Sequence, residues 1–270
     1  MRQLSLLLLA SLLSSAVLAQ KLELSDAELK IKADSILQEA HLLYKYERAA
    51  WLSCDLAVEN HEIDSKFGGY LVYEDQGEIK TIILETGTPI CIAEYSYLND
   101  FNKPNRVKIV DRALSEKELS VIYVRGKIIS QLSDEKYEVT IPEGFNPNVI
   151  LIPFGEKYKF YIIMGTSETG IIPFGNDYLF IADSEGNIES HKKFHSGIIA
   201  GNTEFEGQKV ISMVHSHLIT TPFITATDIC TFMLYAPLFD IDSFSIYSTA
   251  LEKYMTYSLS RDEITMGDVE

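Results

Sequence analysis

The stretch that most constrains this chain runs from Val210 to Tyr235 and reads VISMVHSHLITTPFITATDICTFMLY. It opens with Val210-Ile211-Ser212-Met213-Val214, an apolar, β-branched run of strand length. Side chains alternate faces along a strand, so His215 and His217 share one face and Ser216 takes the other. After a short loop containing Pro222, Thr225-Ala226-Thr227-Asp228 precedes a second apolar run, Ile229 to Tyr235. That pattern predicts a helix with Thr225 as its N-cap and Asp228 three residues on. A strand end with two imidazoles therefore meets a helix start with one carboxylate. Two His and one carboxylate, with a fourth position left to water, form a catalytic zinc set. The same residues also have a purely structural reading. Thr-x-x-Asp is an ordinary capping box, a first-turn carboxylate is favoured by the helix dipole, and His-Ser-His can be solvated.

The spacing His215-x-His217, seven residues, Thr225, two residues, Asp228 resembles the JAMM motif of MPN-domain metalloproteases, H-x-H-x7-S-x2-D, with Thr in place of Ser. The resemblance covers residues 215–228. It implies zinc held by His215, His217 and Asp228, a hydroxyl at Thr225 that steadies the developing oxyanion, and an upstream Glu as proton acceptor. Glu168, 47 residues before His215, is the candidate for that Glu. The family pattern around this Glu, roughly E-x-x-G-x-L-x-G, is met by Gly175 at its last position, while Gly170 is displaced by one. The segment before Glu168 reads as a strand, where the family commonly has a helix. A surface turn carboxylate is the competing reading of Glu168, and Asp177 and Asp183 are competing helper carboxylates. His191 and His195 are spaced i, i+4, but Lys192 stands where a zincin helix needs Glu. His195 can reach the main site only if its strand is adjacent.

Residues 1–19 read as a secretory signal peptide: Arg2, an apolar run from Leu4 to Leu13, and Val17-Leu18-Ala19 before Gln20. The apolar run is too short to favour a membrane span, and no later run approaches spanning length. The expectation is an exported protein, periplasmic or extracellular, fitting a bacterial envelope. The net charge of −16 argues against nucleic acid and anionic membrane surfaces as partners. Of the three cysteines, Cys54 and Cys91 can be paired, or all three are buried thiols.

Ser25-Asp26-Ala27-Glu28 is a capping box that opens a helical repeat running to about Ala57. Strand-like runs follow at Tyr70–Tyr73, Thr81–Leu84, Pro89–Tyr97 and Arg106–Val110, then a helix over Ser115–Gln131. Asp134–Pro147 is turn-rich. From Val149 the pattern returns to strands, at Val149–Ile152, Lys159–Met164, Tyr178–Ala182 and Val210–Val214, with two more at Ser243–Thr249 and Tyr254–Leu259. The expected fold class is α+β: an N-terminal helix and antiparallel β-meander over 20–148, an MPN-like α/β/α unit with a mixed sheet over 149–259, and a frayed acidic tail over 260–270.

Two functions follow. One is a secreted zinc-dependent hydrolase acting on a peptide or isopeptide bond. The other is a non-catalytic exported protein that binds a protein or peptide partner on an MPN-like scaffold.

Overall fold

The helical repeat after Ser25 becomes α1, Asp26–Glu59, whose Ser25 side chain and Glu28 close a capping box. The computed structural model describes residues 22 and 24–268; the segment read as a signal peptide lies outside them. Leu29, Ala33, Ile36, Ala40, Leu43, Tyr46 and Ala50 recur at three- and four-residue steps and are buried, so one stripe of α1 faces the core. A one-turn helix, α2 (His61–Asp64), leads into the meander.

The meander is a four-stranded antiparallel sheet in the order β1 (Phe67–Asp75), β2 (Glu78–Glu85), β3 (Ile90–Tyr97), β4 (Arg106–Ala113). Its two faces serve different cores, as the period of two requires. Ile79, Ile83, Ala93, Tyr95 and Tyr97 join the α1 core. Leu71, Tyr73, Ile82 and Cys91 join a second core with Val121, Val124 and Ile128 of α3, Glu116–Gln131.

Over 149–259 the chain builds the expected mixed sheet and, beside it, an antiparallel sheet and a ribbon. The first sheet is antiparallel, with β5 (Phe145–Phe154), β6 (Lys157–Thr166), β8 (Tyr178–Ala182) and β9 (Ile188–Lys193) in that order. It too is shared: Ile150, Ile152, Tyr161 and Ile163 enter the α1 core, and Leu151, Phe160, Ile162 and Met164 enter the α3 core. The ribbon pairs β7 (Ile171–Gly175) with β10 (Ile198–Asn202), and a minimal hairpin pairs β11 (Glu204–Phe205) with β12 (Gln208–Lys209).

The second sheet is mixed. β13 (Ser212–His217) runs parallel to β14 (Ser243–Ser248), and β15 (Lys253–Ser258) and β16 (Glu263–Asp268) follow antiparallel. Parallel neighbours need a crossover, and α4 (Ala226–Tyr235) supplies it. Every α4 residue except Met233 is buried, including the polar Thr227, Asp228 and Thr231. α4 packs against both α1 and β7. Within the tail expected to fray, residues 263–268 instead form β16, and Ile264 and Met266 pack onto the main core. The protein is therefore α+β, with an N-terminal helix, a four-stranded antiparallel sheet and a later mixed sheet carrying a helix. Cys54, Cys91 and Cys230 are all free thiols. Among the described residues no helix is long and apolar enough to cross a membrane.

Candidate metal centre

β13 ends in the His-x-His pair and sets its alternation: Met213, His215 and His217 turn inward, while Val214 and Ser216 are exposed. α4 begins at the N-cap Thr225. Its capping box uses only one oxygen of Asp228: Oδ2 accepts from the Thr225 backbone N–H at 3.2 Å and from the Thr225 hydroxyl at 2.6 Å. The other oxygen, Oδ1, is fully buried and has no hydrogen-bond partner. Capping and ligation are alternatives in the sequence. In the structure the carboxylate does both: Oδ2 holds the helix start and also lies near His217, and Oδ1 is turned to His195 and His215.

Three imidazoles meet that carboxylate. His195 Nε2 and His215 Nε2 lie 3.5 Å and 3.7 Å from Asp228 Oδ1, and His217 Nε2 lies 3.2 Å from Oδ2. His217 Nε2 is 3.0 Å from His195 Nε2 and 3.1 Å from His215 Nε2. One ligand atom from each of His195, His215, His217 and Asp228 falls within 4.8 Å of all the others, and all four side chains are buried. Phe174 and Phe244 wall the His215 ring at centroid distances of 5.4 Å and 6.2 Å.

The far ring nitrogens fix which atoms face inward. His217 Nδ1 lies 2.7 Å from the Phe223 carbonyl oxygen, which can only accept, so Nδ1 carries the proton. His195 Nδ1 lies 2.6 Å from Asp177 Oδ1 and donates to it. Neutral His195 and His217 therefore both present bare Nε2 lone pairs 3.0 Å apart, His195 facing the unpartnered Oδ1 of Asp228 and His217 facing Oδ2. Lone pairs cannot bond lone pairs. Such a site asks for a cation at its centre, either protons or a metal ion. Carboxylate or carbonyl support behind a ligating His is the usual way a metal site fixes its tautomers.

Protons give a partial answer. Burial opposes the charge on His195, but Asp228 and Asp177 outweigh it and lift its pKa to about 9. Burial dominates at His215, over the pull of Asp228, and lowers its pKa to about 4. Asp228 stays ionised: burial would raise its pKa, yet His195, His217 and His215 together depress it well below the usual carboxylate range. A neutral His215 and an ionised Asp228 are the states a metal needs. The group is thus able to bind a metal ion.

The structure brings His215, His217 and Asp228 together and adds His195, which the sequence places there only conditionally. The bend after β9 carries His195, and the turn before β8 carries Asp177 behind it. Gly175 makes this possible. Its φ is +77°, and a Cβ there would fall 2.4 Å from the Gly197 carbonyl oxygen and 3.3 Å from His195 Cβ. The Thr225 hydroxyl is engaged locally, with Asp228 Oδ2 and with Thr227 Oγ1 at 2.8 Å. Thr227 in turn donates to Asp177 Oδ2, linking the helix start to the support of His195. Glu168 is exposed in the β6–β7 connection, its N–H bonded to Thr166 Oγ1 at 3.0 Å, and is not one of the four converging residues. Asp183 closes the β8–β9 turn by accepting from Glu185 and Asn187. His191 packs between Tyr137 and Phe180. Compared with known proteins, the chain matches no family model, no curated relative and no solved structure.

Proposed function

We propose that this chain is an exported metalloprotein in which His195, His215, His217 and Asp228 hold one zinc ion through four protein ligands. The observation that carries the reading is the meeting of bare imidazole nitrogens with the orphaned Asp228 Oδ1. Tetrahedral zinc with bonds of about 2.0–2.1 Å sets its ligand atoms roughly 3.3 Å apart. His217 Nε2 lies 3.0 and 3.1 Å from the other two Nε2 atoms, and His195 and His215 Nε2 lie 3.5 and 3.7 Å from Asp228 Oδ1, on either side of that value, with all four ligand atoms within 4.8 Å of one another. Four protein ligands complete a tetrahedral shell, and closed shells are the mark of structural zinc. In this reading the ion fastens β13, the start of α4 and the bend after β9 to one another, and the protein acts as a binding or interaction module.

A JAMM-type hydrolase is the second reading, favoured by one observation: the H-x-H-x7-T-x2-D spacing folds so that His215, His217 and Asp228 do converge. His195 then leaves the ligand set and, backed by Asp177, accepts the proton for which Glu168 was the sequence candidate. Bound zinc would polarise the scissile carbonyl and acidify water. Thr225 would have to turn its hydroxyl away from Asp228 to meet an oxyanion.

Metal analysis with His195→Ala separates the two. The purified protein, loaded with zinc and desalted, should hold close to one zinc per chain, and Asp228→Ala should lose most of it. In the closed centre, His195→Ala weakens zinc binding by at least tenfold. In the hydrolase, the same variant keeps its zinc and loses cleavage of peptide or isopeptide substrates. A folded wild-type protein that retains no zinc refutes both.

A further inference from the structure

A second feature lies away from the metal centre, between α1, β6 and the C-terminal half of α4. A cavity of about 300 Å³ is lined there by Glu47, Trp51, Tyr70, Asn148, Thr231 and Tyr235, among others. That volume is at the lower end of small-molecule sites. Its walls are aromatic on several sides, with Trp51 and Tyr235 rings 5.2 Å apart. Its polar edge carries one acid: Glu47, on the buried stripe of α1 and only 5% exposed. No Lys, Arg or His lines the cavity, and among the described residues no ion pair reaches Glu47. Arg125 borders a small void beside Glu47, but its Nη1 donates to the Tyr70 carbonyl at 2.9 Å.

A buried carboxyl without a cation is costly, and natural interiors pair such groups or leave them protonated. Asn148 gives Glu47 a hydrogen bond, yet burial still pushes its pKa up to about 8. Packing gives no reason for an acid here, since α1 buries small or apolar side chains elsewhere on the stripe, such as Ala40, Leu43 and Ala50. An acid facing open volume between aromatic rings has a direct use, because both elements attract an organic cation.

We propose that this cavity is a binding site for a small organic ammonium ion, its charge held by the Glu47 carboxylate and its carbon body placed among Trp51, Tyr70 and Tyr235. Asn148 steadies the carboxylate. The site is separate from the metal centre and stands whichever reading of that centre holds.

Trp51 is the only tryptophan, so its fluorescence reports on this cavity alone. The test titrates the full protein at neutral pH with propylamine, phenethylamine and choline, and with 2-phenylethanol as the uncharged counterpart of phenethylamine. At least one amine should give a saturable change in Trp51 emission, and for phenethylamine the affinity should exceed that of the alcohol by roughly tenfold or more, the scale of a charged hydrogen bond. Glu47→Gln keeps shape and volume and should bring phenethylamine and the alcohol to equal affinity, with unchanged circular dichroism. Three results each overturn the proposal: no saturation with any amine, equal affinity of amine and alcohol for the wild type, or an amine preference that survives Glu47→Gln. Should Glu47→Gln misfold, Trp51→Phe with calorimetric detection and the amine–alcohol comparison on the wild type still decide.

Discussion

Asp177 touches no ligand atom that faces the centre, and that makes Asp177→Asn a sharp test of how the centre works. Asp177 Oδ1 takes the Nδ1 proton of His195 at 2.6 Å, with both side chains nearly inaccessible. The carboxylate fixes the tautomer and raises the basicity of Nε2, the atom turned to Asp228. Asn keeps the shape, but its amide either offers a weaker acceptor to Nδ1 or flips and donates to it, which would place the proton on Nε2 and block ligation. Loss of such outer support typically weakens metal binding by about 10–100-fold, or roughly 1.4–2.7 kcal/mol. Metal present at about 100 times its dissociation constant stabilises the fold by about 2.7 kcal/mol, and a tenfold loss of affinity removes about 1.3 kcal/mol of that. For a chain of this size the metal-induced rise in Tm should shrink by roughly 3–5 °C. Competition with a chromogenic chelator gives the affinity directly, and paired melts with zinc and with EDTA give the shift. An affinity within about twofold of wild type, in a variant that folds, would refute the role given to His195 as a ligand backed by Asp177.

Three further outcomes are expected. Gly175→Ala places a methyl in a left-handed backbone and against the Gly197 carbonyl, so it should destabilise by at least ~1 kcal/mol in a denaturant titration and weaken zinc binding by moving His195. Arg112→Ala should cost about 3 kcal/mol at neutral pH, because Glu118, only 1% exposed, loses its two-pronged partner at 2.8 Å. Burial opposes the Glu118 charge, but Arg112 and Ser115 outweigh it and hold the pKa at about 2, below the ordinary 4.5. The Arg112 effect should therefore be full above pH 4.5 and fade as pH falls toward 2, which urea melts across that range will read. Glu47 has the opposite sign: burial lifts its folded pKa from 4.5 to about 8, so the folded state holds the extra proton and stability falls as pH rises through that window. Without ligand, Glu47→Gln should match wild type near pH 4 and exceed it by a few kcal/mol near pH 8. The upper bound is about 1.4 kcal/mol for each tenfold difference in proton affinity between the folded and unfolded states, and thermal melts at the two pH values will read it.

Much of the framework could be read locally. The capping boxes at Ser25, Ser115 and Thr225 mark α1, α3 and α4, because the cap and the first turn lie within four residues of one another. His215 and His217 share a face by the strand period alone, and Asp228 follows from the helix start. His195 is harder to place. In His191-Lys192-Lys193-Phe194-His195 the spacing fits a helix face, but β9 ends at Lys193 and His195 sits in the bend beyond it. The β8–β9 hairpin turn and the tight turn at Gly175 are local signals, but the approach to β13 also depends on the β7–β10 ribbon, a long-range pairing that leaves no local mark. The C-terminal strand does leave one. Glu263-Ile264-Thr265-Met266 alternates as an edge strand should, with its apolar residues inward, while its acidic neighbours point to disorder. Charge count misleads there because edge strands tolerate charge on the solvent face.

The count of ligands matters more than their identity for what this centre can do. Three candidate ligands, His215, His217 and Asp228, belong to one strand–crossover unit, which the chain can close through local contacts and the parallel β13–β14 pairing. His195, on the bend after β9, would as a fourth ligand join that unit to a different sheet. With all three cysteines free, no disulfide provides that link. A metal held at both ends would supply it, and its binding energy then counts toward folding as well as toward occupancy of the site. If His195 instead stands free as a base, the link is lost and the open coordination position becomes available to substrate. The two readings thus assign one imidazole to opposite ends of a trade between rigidity and reactivity. His195→Ala measures which end this protein occupies: a fall in both zinc affinity and zinc-dependent stability marks the cross-link, and loss of cleavage with both retained marks the base.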